Sequence, residues 1–138
     1  MKYILFILIS ISLLACQSDS SLTLKSILPG KWCELTEKED SCMGYILYSE
    51  DGSFNAHGRF SEYDYEYKTQ GSWKATNSEI CNHREKSFSR EISTKKVLHD
   101  GPDVESYCDK VIEYSPTKII YIHNDGKTWK MVRENKNT

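Results

Sequence analysis

The chain has 138 residues, 38% hydrophobic and 28% charged, with 18 Lys and Arg against 20 Asp and Glu. That length suits one domain with a modest core. The mildly acidic balance of mixed signs leaves no electrostatic footprint for nucleic acid and argues against that partner.

Residues Met1 to Cys16 read MKYILFILISISLLAC, with one charge at Lys2 and an apolar run from Tyr3 to Leu14 broken only by Ser10 and Ser12. The run is too short to span a bilayer, which takes about 20 apolar residues. A short basic start and a central apolar segment have the form of an export signal. Leu13-Leu14-Ala15-Cys16 resembles the bacterial lipobox, in which the cysteine thiol receives lipid. The resemblance implies a signal over residues 1–15, lipidation at Cys16 and a membrane held through that anchor, since several acyl chains make attachment stable. Gln17 stands where an Asp would imply retention at the inner membrane. The implied address is therefore the cell envelope, at the outer membrane facing the periplasm.

Residues 17–26, QSDSSLTLKS, are polar and serine-rich at their start. With Cys16 they form a tether over residues 16–27, and the domain proper is expected over 28–134. Removing 15 residues from 138 leaves 123, and losing Lys2 leaves 17 cationic residues against 20 acidic ones.

Four cysteines remain once Cys16 is spent on lipid: Cys33, Cys42, Cys81 and Cys108. An even count in an exported domain predicts two disulfides, and four cysteines allow three connectivities. A Cys81–Cys108 bond would tie down the long excursion between them, leaving Cys33 to pair with Cys42. No C-x-x-C spacing occurs, and His83 and His99 do not stand at finger-like intervals, so no metal or other cofactor is expected.

From Gly30 onward the chain reads as strands at the spacing of an all-β meander. Gly30 to Leu35 and Met43 to Ser49 come first, and Glu50-Asp51-Gly52 turns the chain into Ser53 to Phe60. Tyr63, Tyr65, Tyr67, Thr69, Gly71, Trp73 and Ala75 then alternate with polar residues, which predicts a long strand with a buried aromatic face. Gly71 marks a bend or bulge within it. Glu79 to Arg84 forms the next strand. The stretch 85–105 is charged, lacks alternation and contains His99-Asp100-Gly101-Pro102-Asp103, so it is expected as a loop outside the sheet. Ser106 to Ser115, Thr117 to His123 and Lys127 to Arg133 complete eight strands, the last two joined by Asn124-Asp125-Gly126. Closing the meander removes its exposed edges. The fold class is thus all-β, a single small antiparallel up-and-down barrel.

Gly30-Lys31-Trp32 and Arg133 resemble the G-x-W and closing arginine of the lipocalin superfamily. Tyr48 to Phe54, Gly71-Ser72-Trp73 and Val111 to Ser115 resemble the pattern of short bacterial lipocalin-like lipoproteins. The resemblance implies a structural role for Trp32 and Arg133, the guanidinium covering the indole at the closed end of the barrel, a contact worth about 0.5–2 kcal/mol. The segment 85–105 and the four cysteines depart from that pattern.

Tyr63, Tyr65, Tyr67 and Trp73 on one strand face, with Tyr45 and Tyr121 elsewhere, are the candidate ligand-binding residues, able to line a cavity while their polar atoms orient a guest. The competing reading is a barrel filled by its own side chains. His57, His83, His99 and His123 stand beside no nucleophile motif and are read as surface residues, so no catalytic residue is expected and the protein is read as non-enzymatic. Asp100, Asp103 and Glu105 are read as a solvated acidic group. The expected function is a lipid-anchored envelope protein that holds a small apolar or amphipathic ligand. The alternative is a protein-interaction module, such as a periplasmic lysozyme inhibitor or an envelope assembly factor.

Overall fold

A computed structural model describes residues 22–36 and 41–134. The lipobox, Cys16 and the tether as far as residue 21 lie outside the described residues. A one-turn helix, α1 (Leu24–Ile27), precedes eight strands: β1 (Gly30–Thr36), β2 (Gly44–Tyr48), β3 (Ser53–Phe60), β4 (Tyr65–Ala75), β5 (Glu79–Glu91), β6 (Val97–Tyr114), β7 (Lys118–Ile122) and β8 (Thr128–Arg133). Each strand pairs antiparallel with the next, and β8 pairs with β1, closing an up-and-down barrel.

Alternation creates the inside. In β2 and β3, Gly44, Ile46, Tyr48, Phe54, Ala56 and Gly58 are buried while their neighbours are not, because successive strand side chains point to opposite faces. The register carries this face round the wall, with Trp32 opposite Ile46, Ile46 opposite Ala56 and Ala56 opposite Thr69.

The sequence reading is corrected at two places. The stretch 85–105 is not a loop outside the sheet: it completes β5 and begins β6, and the two strands pair from Arg90–Val97 to Glu79–Lys110. Two register shifts in that pairing, between Arg84 and Lys86 and between Ser89 and Arg90, break the alternation that would have revealed it. Gly101 and Pro102 lie within β6, whose other edge meets β7 only from Lys110 onward. Proline is tolerated on such an edge because no neighbour awaits its missing N–H. Farther back, β4 begins at Tyr65. Ser61–Tyr63 forms a single 3-10 turn, and Asp64 leaves it in the left-handed region at φ 51°. The irregularity expected at Gly71 is present, with Gln70 facing Lys86 and Gly71 facing Arg84, so Glu85 is the extra residue and it belongs to β5.

The core fills the closed end. Trp32, Phe54, Leu24, Leu28, Ile80, Ile119 and Met131 are each less than 2% exposed, and full burial of a side chain of this kind contributes roughly 1.5–3 kcal/mol. Leu24, Ile27 and Leu28 of α1 and its C-cap plug the barrel here. The Thr23 hydroxyl caps the helix. Trp32 Nε1 donates to the Leu28 carbonyl at 2.7 Å, and the Arg133 guanidinium lies 4.3 Å from the Trp32 ring. Gly30 has φ 137°, and a β-carbon there would collide with the Arg133 guanidinium; only glycine meets both conditions without cost.

Disulfides join Cys33 to Cys42 and Cys81 to Cys108, the latter across directly opposed positions of β5 and β6.

Candidate functional site

Toward the open end the interior becomes polar and opens into a cavity of about 270 Å³. Its walls are aromatic, from Phe60, Tyr65, Tyr67, Tyr107, Tyr121 and Trp129, and Glu34 lies among them. Glu34 points inward because it stands two residues after Trp32 on the same strand.

Glu34 Oε1 accepts the Tyr121 hydroxyl at 2.7 Å. Burial raises the Glu34 carboxyl above its ordinary 4.5; Asp109 adds to the rise, while the Tyr121 bond and His123 oppose it. Burial, followed by the charge of Glu34, holds the Tyr121 phenol well above its usual range. Desolvation penalises the charged form of each group, which is why both move upward.

A second polar pair lies alongside. Asp109 is 5% exposed, and its Oδ1 is 2.7 Å from His123 Nδ1. That hydrogen bond raises the imidazole above 6.5 against the opposing effect of partial burial. The His123 ring meets Tyr107 edge-on with centroids 5.4 Å apart, and Trp129 likewise at 6.4 Å. Burial pushes the Tyr107 phenol up to about 12. Trp129 Nε1 is buried and has no hydrogen-bond acceptor among the described residues.

On the β5–β6 side, Arg84 Nε lies 3.1 Å from Asp103 Oδ2, an ion pair without hydrogen-bond alignment, and Arg84 Nη2 reaches Glu105. Ser87 Oγ donates to Asp103 at 2.7 Å.

Tyr67 owes its place to two glycines. A β-carbon at Gly58 would strike the Tyr67 ring, and one at Gly44 would lie 3.2 Å from the Tyr67 hydroxyl and 2.9 Å from the His57 carbonyl. The missing side chains on β2 and β3 thus leave a slot into which the phenol leans. Phe60, Tyr65 and Tyr67 stack with centroid separations of 5.8 to 6.3 Å.

Of the tyrosines and tryptophan singled out from sequence, Tyr65, Tyr67 and Tyr121 meet at the cavity. The other three lie elsewhere. Tyr45 falls between the buried positions of β2, stacked at 5.5 Å on His57 with Lys31 Nζ 4.2 Å from its ring. Tyr63 is 76% exposed on the 3-10 turn. Trp73 packs in the core below, edge-on to Tyr48 at 5.6 Å, with Nε1 donating to the Ser49 carbonyl. Trp32 and Arg133 meet at the closed end.

The sequence reading passed over Glu34, Arg84, Tyr107, Asp109 and Trp129, and it placed His123 at the surface. His123 is half-buried and lines the cavity. The available signal was period two. Glu34 shares parity with Trp32, and Tyr107 and Asp109 share it with Val111. His57 and His99 are exposed, and His83 Nδ1 lies 2.7 Å from Ser106 Oγ. Of the acidic group expected as solvated, Asp100 and Glu105 are exposed and Asp103 is half-buried; Arg84 pairs with Asp103 and Glu105, and Asp100 lies 3.8 Å from Lys86.

Among the described residues no cluster of three or more His, Cys, Asp or Glu side chains is placed to hold a metal ion. The cavity thus combines aromatic walls with two acid-centred polar pairs, Glu34–Tyr121 and Asp109–His123. Comparison with protein-family models, with curated proteins and with solved structures finds no match.

Proposed function

We propose that the protein is a lipid-anchored, lipocalin-like envelope protein whose barrel mouth binds a small amphipathic molecule without transforming it. The observation that carries this reading is the cavity of about 270 Å³, aromatic in its walls and polar at Glu34–Tyr121 and Asp109–His123. Pockets for small molecules run from roughly 300 to 1,000 Å³, so the guest is a small one. The Trp32–Arg133 contact and the glycine beneath the guanidinium support the lipocalin-like assignment. The lipobox resemblance supports lipidation at Cys16 and an outer-membrane address facing the periplasm.

Native mass spectrometry of the protein extracted gently from its own membranes tests the binding reading. A bound small molecule is expected, and Ala56→Phe, which places a ring where Ala56 lines the cavity, is expected to lose it. A barrel that is empty in every preparation would overturn the reading. Intact mass of the same material tests lipidation, with an acylated chain beginning at Cys16 as the expected result.

A second reading, as a protein-interaction module, is favoured by one observation. Before Lys110 the outer edge of β6 has no partner strand among the described residues, and Val97, Leu98 and Val104 along it are exposed. Strand addition from another protein is the recognition mode that such an edge serves. Protection of cells against a stoichiometric amount of lysozyme would favour this reading in its lysozyme-inhibitor form, and unaltered lysis would remove that form.

A further inference from the structure

We infer that the ligand of this cavity is a small organic ammonium ion with an apolar or aromatic tail, its cationic head held against Glu34 and the surrounding rings. This rests on the ligand-binding reading and deepens it.

The charges at the cavity are unequally partnered. Its lining holds two carboxylates, Glu34 and Asp103, and two basic side chains, Arg84 and His123, the second cationic only when protonated. Each basic side chain is already engaged, Arg84 by both Asp103 and Glu105, and His123 by Asp109. Glu34 is left in no ion pair among the described residues, its one hydrogen bond coming from the neutral Tyr121 hydroxyl. Removing a carboxylate from water costs several kcal/mol unless an opposite charge accompanies it. An incoming ammonium would satisfy that demand. An anion would meet the like charge of Glu34, and a neutral guest would leave Glu34 uncompensated.

The walls point the same way. Tyr65, Tyr67, Tyr107 and Trp129 line the cavity around Glu34, and aromatic ring faces attract cations, most strongly where water is excluded. Carboxylate and rings together recognise an alkyl- or arylammonium, whose hydrocarbon part packs on Phe60 and Phe54 at the cavity lining.

Calorimetry with the full-length protein tests the assignment, using three probes of similar shape: phenethylammonium, 2-phenylethanol and 3-phenylpropionate. The ammonium is expected to bind about tenfold or more tightly than the alcohol, and the carboxylate most weakly. Glu34→Gln is expected to bring the ammonium-to-alcohol ratio to about one, whereas Glu34→Asp, which keeps the charge, retains a preference for the cation. Equal affinities for ammonium and alcohol in the unmodified protein, or a preference for the carboxylate, would overturn the charge assignment and leave the ligand-binding reading standing. If none of the three binds, the molecule found by native mass spectrometry decides. A cationic guest supports the assignment, a neutral or anionic one overturns it alone, and an empty barrel removes the ligand-binding reading as well.

Discussion

The Arg133 guanidinium sits 4.3 Å from the Trp32 ring while its three nitrogens donate to the carbonyls of Ile27, Pro29 and Pro116. One side chain therefore ties the last strand to α1, to the start of the first strand and to the β6–β7 turn. Arg133→Met keeps much of the packing and removes every one of these bonds. It is expected to destabilise the fold by about 2–4 kcal/mol, after discounting for the partly exposed position. Arg133→Lys, with a point charge where a planar fork is needed, is expected to recover less than half of that. Urea denaturation of both variants measures the difference.

The buried acid predicts a pH dependence of definite sign. Folding raises the Glu34 carboxyl above its unfolded value of 4.5, so the native state holds that proton more tightly. Its favourable contribution is fully present below pH 4.5 and declines as pH rises through the folded value. Glu34→Gln keeps an acceptor for Tyr121 and cannot ionise. The melting temperature of the variant relative to the unmodified protein, followed between about pH 4 and pH 8, is therefore expected to rise above pH 4.5 and to level off once the pH exceeds the folded value. A constant difference across that range would refute the account. His123 is also raised, above 6.5, chiefly by its Asp109 hydrogen bond, and contributes a slope of the same sign whose main cause remains in the variant.

The slot occupied by Tyr67 makes Gly58 a control point for the cavity. Gly58→Val puts atoms where the Tyr67 ring now lies and is expected to cost about 1–3 kcal/mol through overpacking. The displaced ring is expected to shrink the space beside Glu34 and weaken ligand binding. Adding Tyr67→Ser relieves the collision, so the double variant is expected to be more stable than Gly58→Val alone. Chemical denaturation of the two single variants and the double variant measures this coupling.

The Cys81–Cys108 bond closes a loop that includes most of the β5–β6 hairpin. Replacing both cysteines by serine is expected to cost about 3 kcal/mol through the freed entropy of the unfolded chain. Because Arg84, Ser87 and Asp103 lie on this hairpin, faster amide exchange is expected there than in β1 or β8 of the same variant.

How much of the fold is legible in the linear pattern depends on how far a single residue can perturb it. Tyr65 through Ala75 alternate without interruption because β4 contains no inserted residue, and the extra residue at the bulge sits on β5. In β5 and β6, each register shift reverses the parity of the residues beyond it, and Gly101-Pro102 carries turn chemistry within a strand. That stretch therefore has the appearance of a charged loop. The cavity shows the same asymmetry. Tyr65, Tyr67 and Tyr121 advertise an inward face because aromatic residues belong there, whereas Glu34, Asp109 and His123 resemble outward-facing residues that have fallen on the wrong phase. Only the closed register, which brings Glu34 within 2.7 Å of Tyr121 across 87 positions of chain, distinguishes a buried acid from a solvated one.

The plug formed by α1 has a consequence for the direction from which a guest arrives. Leu22 is held by the Tyr114 hydroxyl, Leu24 N–H donates to Asn77 in the β4–β5 turn, and Arg133 holds the Ile27 carbonyl, so both ends of the described chain leave on the closed side. From the anchor proposed at Cys16, six residue steps lead to Leu22, a reach of roughly 20 Å at full extension. On that proposed anchoring the floor of the barrel would face the bilayer and its mouth the aqueous compartment. The proposed guest would then be collected from solution, and a lipid from the anchoring leaflet would have to leave the membrane altogether before it could enter.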